Sequence, residues 1–237
     1  MELTTVLEEV TTLPALADPN GITSAATWLN TTFGNLDHMI LQFYHNLHET
    51  CGRPLDLFVN VFTRLGDGGI FLICVGLILI MFRKSRKVGM GMVGGILIGA
   101  IFTNLTIKNV VARPRPYAYT LEYQNWWIAA GQVLESEFSF PSGHTTAAMA
   151  SMTPVFFFCN KKKSWTAFLF VIALGASRNY LMVHFPSDIL GGILVGGIAG
   201  LIAYILLEAF YDKITRVGRL GNFIGTSDVR NVFKKEA

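Results

Sequence analysis

Long apolar runs alternate along the chain with short, sharply polar interruptions, and the lengths of the runs decide the structural class. A membrane-crossing helix needs about 20 mostly apolar residues. Five stretches meet or approach that length, roughly 66–82, 88–107, 142–160, 164–183 and 189–208. The second carries no charge and the fifth none before Glu208, and both repeat Gly and Ala at spacings that let helix backbones come close. The first 65 residues read differently. Trp28–Arg64 mixes Leu, Phe, Ile and Met with Asn, His, Asp and Glu and is interrupted by Pro54, which predicts two short amphipathic helices lying in the membrane interface. No basic segment followed by an apolar core opens the chain, so no cleavable signal peptide is expected. The predicted fold is all-α, a polytopic transmembrane helical bundle of five strong spans with amphipathic N-terminal helices, a sixth span being the open alternative. Its expected organisation is an N-terminal interfacial region over 1–65, a transmembrane core over 66–211 and a basic tail over 212–237.

Composition sharpens this picture. Only 15% of the 237 residues are charged and 51% are hydrophobic, against about 25% charged in soluble domains, which excludes a disordered chain or an ordinary soluble fold. Cys51, Cys74 and Cys159 are too few and too scattered for a disulfide framework or a zinc site. The net charge of +3 conceals a strong asymmetry. Arg83, Lys84, Arg86 and Lys87 fill one turn between spans, Lys161, Lys162 and Lys163 another, and Lys213, Arg216, Arg219, Arg230, Lys234 and Lys235 the tail. Lys and Arg accumulate in cytoplasmic loops, so both turns and the C-terminus are expected inside. Residues 1–52 hold acids but no Lys or Arg, which fits an N-terminus outside in a five-span chain; a sixth span would put it inside, against that pattern. The basic tail is read as a determinant of topology, and no nucleic-acid partner is expected.

Sidedness isolates the polar residues that topology does not explain, and they form three clusters on the outer face. Lys108-Asn-Val-Val-Ala-Arg113-Pro-Arg115-Pro116 ends the second span, its prolines stopping the helix and holding the chain extended. Pro141-Ser142-Gly143-His144 opens the third span, with Ser142 as the expected N-cap and Gly143 leaving the first-turn N–H groups open to a ligand. A helix N-terminus of this kind binds phosphate. The third cluster is Ser177-Arg178, His184 and Asp188. A lone Arg178 near the end of a span either snorkels or serves a site. His184 with a carboxylate four residues on, across the Phe185-Pro186 turn, can have one ring nitrogen oriented and the other free. Cations, backbone donors, two histidines and a carboxylate on one side are what phosphoryl transfer uses.

The pattern K-x6-R-P, P-S-G-H and S-R-x5-H-x3-D resembles the three-part signature of the type 2 phosphatidic acid phosphatase superfamily, and every motif position from Lys108 to Asp188 is filled. The resemblance implies a membrane lipid phosphatase in which His184 is the nucleophile that forms a phosphohistidine. Asp188 orients it, and His144 is the general acid and then the base. Lys108, Arg115, Ser142, Gly143 and Arg178 correspond to the phosphate-binding positions. The family works without a metal or other cofactor, and the outer face has no carboxylate cluster suited to magnesium. Opposite protonation states for the two histidines imply a bell-shaped pH profile. Arg113 lies outside the signature and reads as an anchor or as a contact to a second phosphate; Ser177 is an additional candidate. Among substrates, the resemblance points first to undecaprenyl diphosphate and then to phosphatidic acid or phosphatidylglycerol phosphate, in a bacterial plasma membrane with the site outside. The expected partners are that lipid substrate and the surrounding membrane lipids.

Several features have plainer readings. His38, His45 and His48 with Glu49 outline a metal site superficially, but they also form the polar side of an interfacial helix. Trp126 and Trp127 read first as an aromatic belt and second as the lining of a lipid entry. Asn30 and Asn104 match a glycosylation pattern to which no weight attaches, Asn104 lying in a span. A transporter or channel is the competing class, yet its ionisable residues would sit at mid-membrane depth rather than at one end. A binding protein without catalysis is the other rival.

Overall fold

The computed structural model describes residues 13–216; the acids Glu2, Glu8 and Glu9 and the tail residues Arg219, Arg230, Lys234 and Lys235 lie outside the described residues. Every regular element among the described residues is helical. Helix α1 (Ser24–Cys51) starts at Thr23, whose hydroxyl accepts from the Ala26 N–H at 3.1 Å. It ends at Gly52, whose φ of 62° is open to glycine at little cost. Helix α2 (Arg53–Thr63) follows with Pro54 in its first turn, where a missing N–H does no harm. The break therefore falls at Gly52 rather than at Pro54, and the first helix, at 28 residues, is long rather than short.

A tight segment, Arg64–Gly69, with Asp67 extended and Gly68 and Gly69 at positive φ, leads into α3 (Ile70–Met81). Helix α4 (Arg86–Ala100) continues through a π-helical stretch, Ile101–Ile107, and a last turn, Lys108–Val111. Ala112 at φ 46° and the prolines after it then stop the helix. A short α5 (Leu121–Ala129), α6 (Gly143–Phe158), α7 (Ala167–Tyr180) and α8 (Pro186–Arg216) complete the chain.

Three helical stretches, Arg53–Met81, Arg86–Ala118 and Pro186–Lys213, are long and apolar enough to cross a membrane. The windows over 142–160 and 164–183 contain the shorter α6 and α7, of 16 and 14 residues. At about 1.5 Å per residue these are shorter than a hydrocarbon core of about 30 Å. Apolar residues beyond the helix ends inflated the sequence windows: Leu181, Met182 and Val183 are apolar but form a buried turn.

Small residues set how closely the bundle packs. A Cβ added at Gly95 would lie 2.3 Å from the Ala150 carbonyl oxygen, one at Gly196 would lie 2.5 Å from that of Thr146, and one at Gly89 would lie 2.3 Å from that of Gly76. The backbones of α4, α6 and α8 therefore meet directly, as the spacing of small residues predicts. The basic turns gather at one end. There Lys87 pairs with Glu208 at 3.1 Å and lies over the Tyr211 ring, Lys161 lies over Phe157, and Arg83, Lys84 and Arg216 border one cleft.

The N-terminal helices pack inward. Leu41 and Val59 join Tyr117, Trp127, Tyr180 and Val183 in one core cluster. On α1 the orientation expected of an interfacial helix is reversed: Asp37 is buried against the protein, whereas Trp28, Met39 and Phe43 are exposed. The histidine face follows Asp37 inward. His45 stacks on Trp126 with centroids 4.8 Å apart, His38 bonds the Tyr123 hydroxyl at 3.1 Å, and His48 bonds Asp56 at 2.9 Å. These rings tie α1 to α5 and α2. Trp127 is no interfacial belt: it is buried, its indole N–H donating to the Val133 carbonyl at 2.8 Å.

The close approach of α4, α6 and α8 is testable. Gly95→Ala and Gly196→Ala each place a methyl group against a backbone carbonyl and are expected to destabilise the protein by about 1–3 kcal/mol. Gly34→Ala, which meets nothing within 4 Å, is expected to be neutral or better. Thermal unfolding in detergent followed by size-exclusion chromatography compares the three.

Candidate active site

At the end of the bundle opposite the basic turns, four elements bring the predicted site residues together. Lys108, Arg115, Gly143, His144 and His184 line a single cavity of about 260 Å³. Lys108 comes from the last turn of α4, and Arg115 follows it on backbone held extended between Pro114 and Pro116. His144 stands in the first turn of α6. Ser142 caps that helix as expected, its hydroxyl accepting from the Thr145 N–H, and is fully buried in that role. A Cβ at Gly143 would lie 3.7 Å from the Lys108 ammonium, so the glycine leaves the helix N-terminus open toward a cation. An anion there meets both the free N–H groups and the ammonium.

His184 lies in the turn between α7 and α8, 1% exposed. Its Nε2 is 3.3 Å from Arg115 Nη1, and its Nδ1 is 3.3 Å from the Ser139 hydroxyl and 3.6 Å from Asp188 Oδ2. Ser139 donates to that same Oδ2 at 2.5 Å, so its oxygen is left to accept from Nδ1–H. The network thereby assigns the proton to Nδ1 and the lone pair to Nε2, the nitrogen beside Arg115. Burial, and after it the nearby Arg115 guanidinium, push the His184 pKa well below the usual histidine range. The ring is therefore neutral at physiological pH, the state that the nucleophilic role expected from the sequence requires.

Asp188 is held from several sides. Its carboxylate accepts from the Phe185 N–H at 2.8 Å and from Arg113 Nη1 at 2.6 Å, in addition to Ser139. Arg113, 1% exposed, also donates to Asp37 at 2.9 Å, to Ser187 at 2.7 Å and to Asn30 at 2.8 Å, with its guanidinium over the Phe185 ring. Asp37 in turn accepts from the Ser187 N–H at 2.8 Å and from its hydroxyl at 2.6 Å, fixing the start of α8. Arg113 thus departs from both sequence readings, surface anchor and second-phosphate contact, because its donors are committed to buried acceptors around Asp188. Ser177 donates to the Leu174 carbonyl of its own helix at 2.6 Å and takes no part in the cavity.

Arg178 reaches the site from the last turn of α7. One of its nitrogens donates to Thr63 at 2.8 Å and another to Glu135, while its Nε is buried without a partner. Glu135 also lies 3.8 Å from Arg115, and Glu137 pairs with Lys108. His144 Nε2 is 2.9 Å from Asp67, in the segment between α2 and α3. Asp37, Asp67, Glu135, Glu137 and Ser139 were not singled out as site residues from the sequence. Only the Glu-Ser-Glu run preceding Phe138-Ser139 offered a signal, as acids close to a cation cluster.

Comparison with known proteins finds similar chains among membrane phosphatases. A family model described as the PAP2 superfamily matches residues 89–212. The undecaprenyl-diphosphatase BcrC of Bacillus subtilis (strain 168) is 31% identical over 187 residues, covering 77% of this chain and 91% of that protein. Phosphatidylglycerophosphatase B of the same organism is 29% identical over 172 residues, covering 65% of this chain and 74% of its own length. Among solved structures, the transmembrane PAP2-type phosphatidylglycerolphosphate phosphatase from Bacillus subtilis superposes with a TM-score of 0.56 at 25% identity, over 82% of this chain and 94% of that one.

Breaking the buried network from its far end tests the geometry. Asp37→Ala removes one of the two carboxylate partners of Arg113 and strands the Ser187 N–H, and leaving a buried donor unsatisfied costs about 1–3 kcal/mol. The expected result is a marked fall in the thermal midpoint in detergent; an unchanged midpoint would refute the arrangement.

Proposed function

The chain belongs to the PAP2 superfamily and is an integral membrane lipid phosphatase, and from this premise we propose that it hydrolyses undecaprenyl diphosphate to undecaprenyl phosphate at the outer face of a bacterial plasma membrane. The convergence of Lys108, Arg115, His144 and His184 on one cavity carries the catalytic reading. The substrate reading rests on the likeness to a diphosphatase along nine-tenths of that relative. Phosphatidylglycerol phosphate is the second substrate reading, favoured by the likeness to phosphatidylglycerophosphatase B and to the solved phosphatase.

In the proposed reaction Nε2 of His184 attacks the terminal phosphorus in line. The bond from that phosphorus to the lipid-bearing oxygen breaks, and His144 supplies a proton to that oxygen. Lys108, Arg115 and Arg178, with the N-terminus of α6 at Gly143, neutralise the equatorial oxygens. The His184 ring becomes cationic as its nitrogen bonds phosphorus, and Asp188, through Ser139, stabilises that charge. Water then attacks the phosphohistidine, His144 takes its proton, the N–P bond breaks, and inorganic phosphate leaves. Charge neutralisation comes from side chains, so no metal is required.

The proposed topology has five crossings, with α6 and α7 the short ones, the N-terminus outside and the C-terminus inside. The segregation of the basic turns from the catalytic end supports it.

Phosphate release from a panel of lipid phosphates in detergent, with chelator present, tests this reading. The expectation is turnover by wild type and a loss of about a thousandfold or more in His184→Ala. No release from any lipid, or an active His184→Ala, refutes the mechanism; a demand for added magnesium refutes the metal-free part. The pH profile of kcat/KM should show an acid limb set by His184. Because burial and Arg115 lower the His184 pKa, its neutral form persists as pH falls, and the acid limb should lie below the ordinary histidine value of about 6.5. For topology, single cysteines at Ser136 and Lys162, in a chain whose three exposed cysteines are replaced, should be labelled from outside only at position 136.

A further inference from the structure

The cations that the phosphatase reading assigns to phosphate are already engaged by carboxylates of the chain itself. Glu137 pairs with Lys108, and its backbone carbonyl accepts from Arg115 Nε at 2.8 Å. Glu135 pairs with Arg178 and lies 3.8 Å from Arg115. Both carboxylates come from one short segment, and both border the catalytic cavity. The segment is tethered at its far end, where the Ser139 N–H donates to the Arg113 carbonyl at 2.8 Å. At its near end Gly131 and Gln132 take positive φ.

The two partners of each pair differ in burial. Lys108 and Arg178 are 7% and 1% exposed in their side chains, whereas Glu137 and Glu135 are 51% and 25% exposed. The cations are thus fixed in the protein wall while the carboxylates approach from the solvent side. A carboxylate and a phosphate accept from such donors in the same way, through anionic oxygens on charged N–H groups. The donors cannot serve both fully, and the charge offered to an incoming headgroup is reduced from three cations toward one.

Resting on the lipid phosphatase reading, we propose that Glu135 and Glu137 act as an internal competitor for the anion site, one that an incoming phosphate must displace from Lys108, Arg115 and Arg178 before His184 can be reached. The pair is specificity-determining for the same reason. A headgroup must bring enough anionic oxygens to replace two carboxylates, which favours a diphosphate over a singly charged phosphodiester. The rival role, in which the glutamates hold the cations in place for the substrate, predicts the opposite sign on removing their charge.

The test is binding of inorganic phosphate to full-length protein in detergent by isothermal titration calorimetry, for wild type, Glu137→Gln and the double variant Glu135→Gln/Glu137→Gln. Phosphate release from lipid substrate is measured in parallel. Competition predicts that the Kd for phosphate falls by about tenfold in the double variant, the scale of one charge-assisted hydrogen bond. KM should fall with it, and Glu137→Gln should lie between. An unchanged or raised Kd overturns the proposal, as does wild type and double variant alike failing to bind phosphate. Should the double variant misfold, Glu137→Gln decides by the same sign. The calorimetric ratio needs no turnover, so a chain that binds phosphate yet releases none from any lipid refutes the functional reading while still deciding this one.

Discussion

The catalytic end of the molecule depends on one buried cation. Arg113 is shared between Asp37 on α1 and Asp188 on α8, with Ser187 and Asn30 taking its remaining contacts. Taking these ions out of water costs several kcal/mol each, and only dense hydrogen bonding offsets such a cost. Here it is dense: Asp37 and Asp188 each accept from backbone N–H and hydroxyl groups besides the guanidinium. One cation against two carboxylates leaves a net negative charge behind His184. That charge lies on the Nδ1 side, while Arg115 lies on the Nε2 side. The ring is therefore kept neutral by burial and by cations, yet has a counter-charge on its Nδ1 side that suits the cationic state of the proposed phosphohistidine step.

The placement of the site follows from how the helices end. α6 begins and α7 ends at the cavity, so a positive helix terminus faces the anion cradle while Arg178 sits favourably in the last turn of α7. Both helices are short because their polar ends are given over to the site. The remaining thickness is supplied by the longer α4 and α8, which approach α6 through glycine. Rigid backbone contact of that kind holds the histidines, contributed by different segments, to a common cavity.

Much of this was legible in the sequence, for reasons that differ by residue. Lys108, Arg115, His144, His184 and Asp188 stand in short local patterns whose spacing survives folding, and the Ser142 cap is a local event. The small-residue spacing correctly announced close helix packing. Asp37 was illegible because periodicity shows that a helix has a polar face but not whether that face meets water or a buried arginine 76 residues away. The same limit reversed α1, whose histidines look inward and whose Phe43 looks outward. Arg113 was noticed, but its role depends on Asp37 and so could not be assigned before that partner was placed. Glu135 and Glu137 belong to a loop with no period at all, and their meaning is entirely tertiary.

The cavity also constrains how a lipid can reach the cations. Beyond Lys108 and His144 its wall combines small or apolar residues, Ile96, Gly99, Ala100 and Ala147, with the polar Thr103, Asn104 and Thr146. Leu97, Ile101 and Leu105 on the adjoining face of α4 are exposed and apolar, a surface suited to acyl or isoprenoid chains. A headgroup can enter from this side while its chain stays in hydrocarbon; on that wall Thr103 and Thr146 bond each other at 3.3 Å, while Asn104 is exposed. Under the proposed function, discrimination among lipid phosphates falls to the polar contacts, at Asn104 and at the phosphate itself. The charged, solvent-facing groups there include Glu135, Glu137 and, beside His144, Asp67. If Glu135 and Glu137 compete as proposed, selectivity is in part an electrostatic property of the cradle, while the apolar part of the wall supplies affinity common to every membrane lipid.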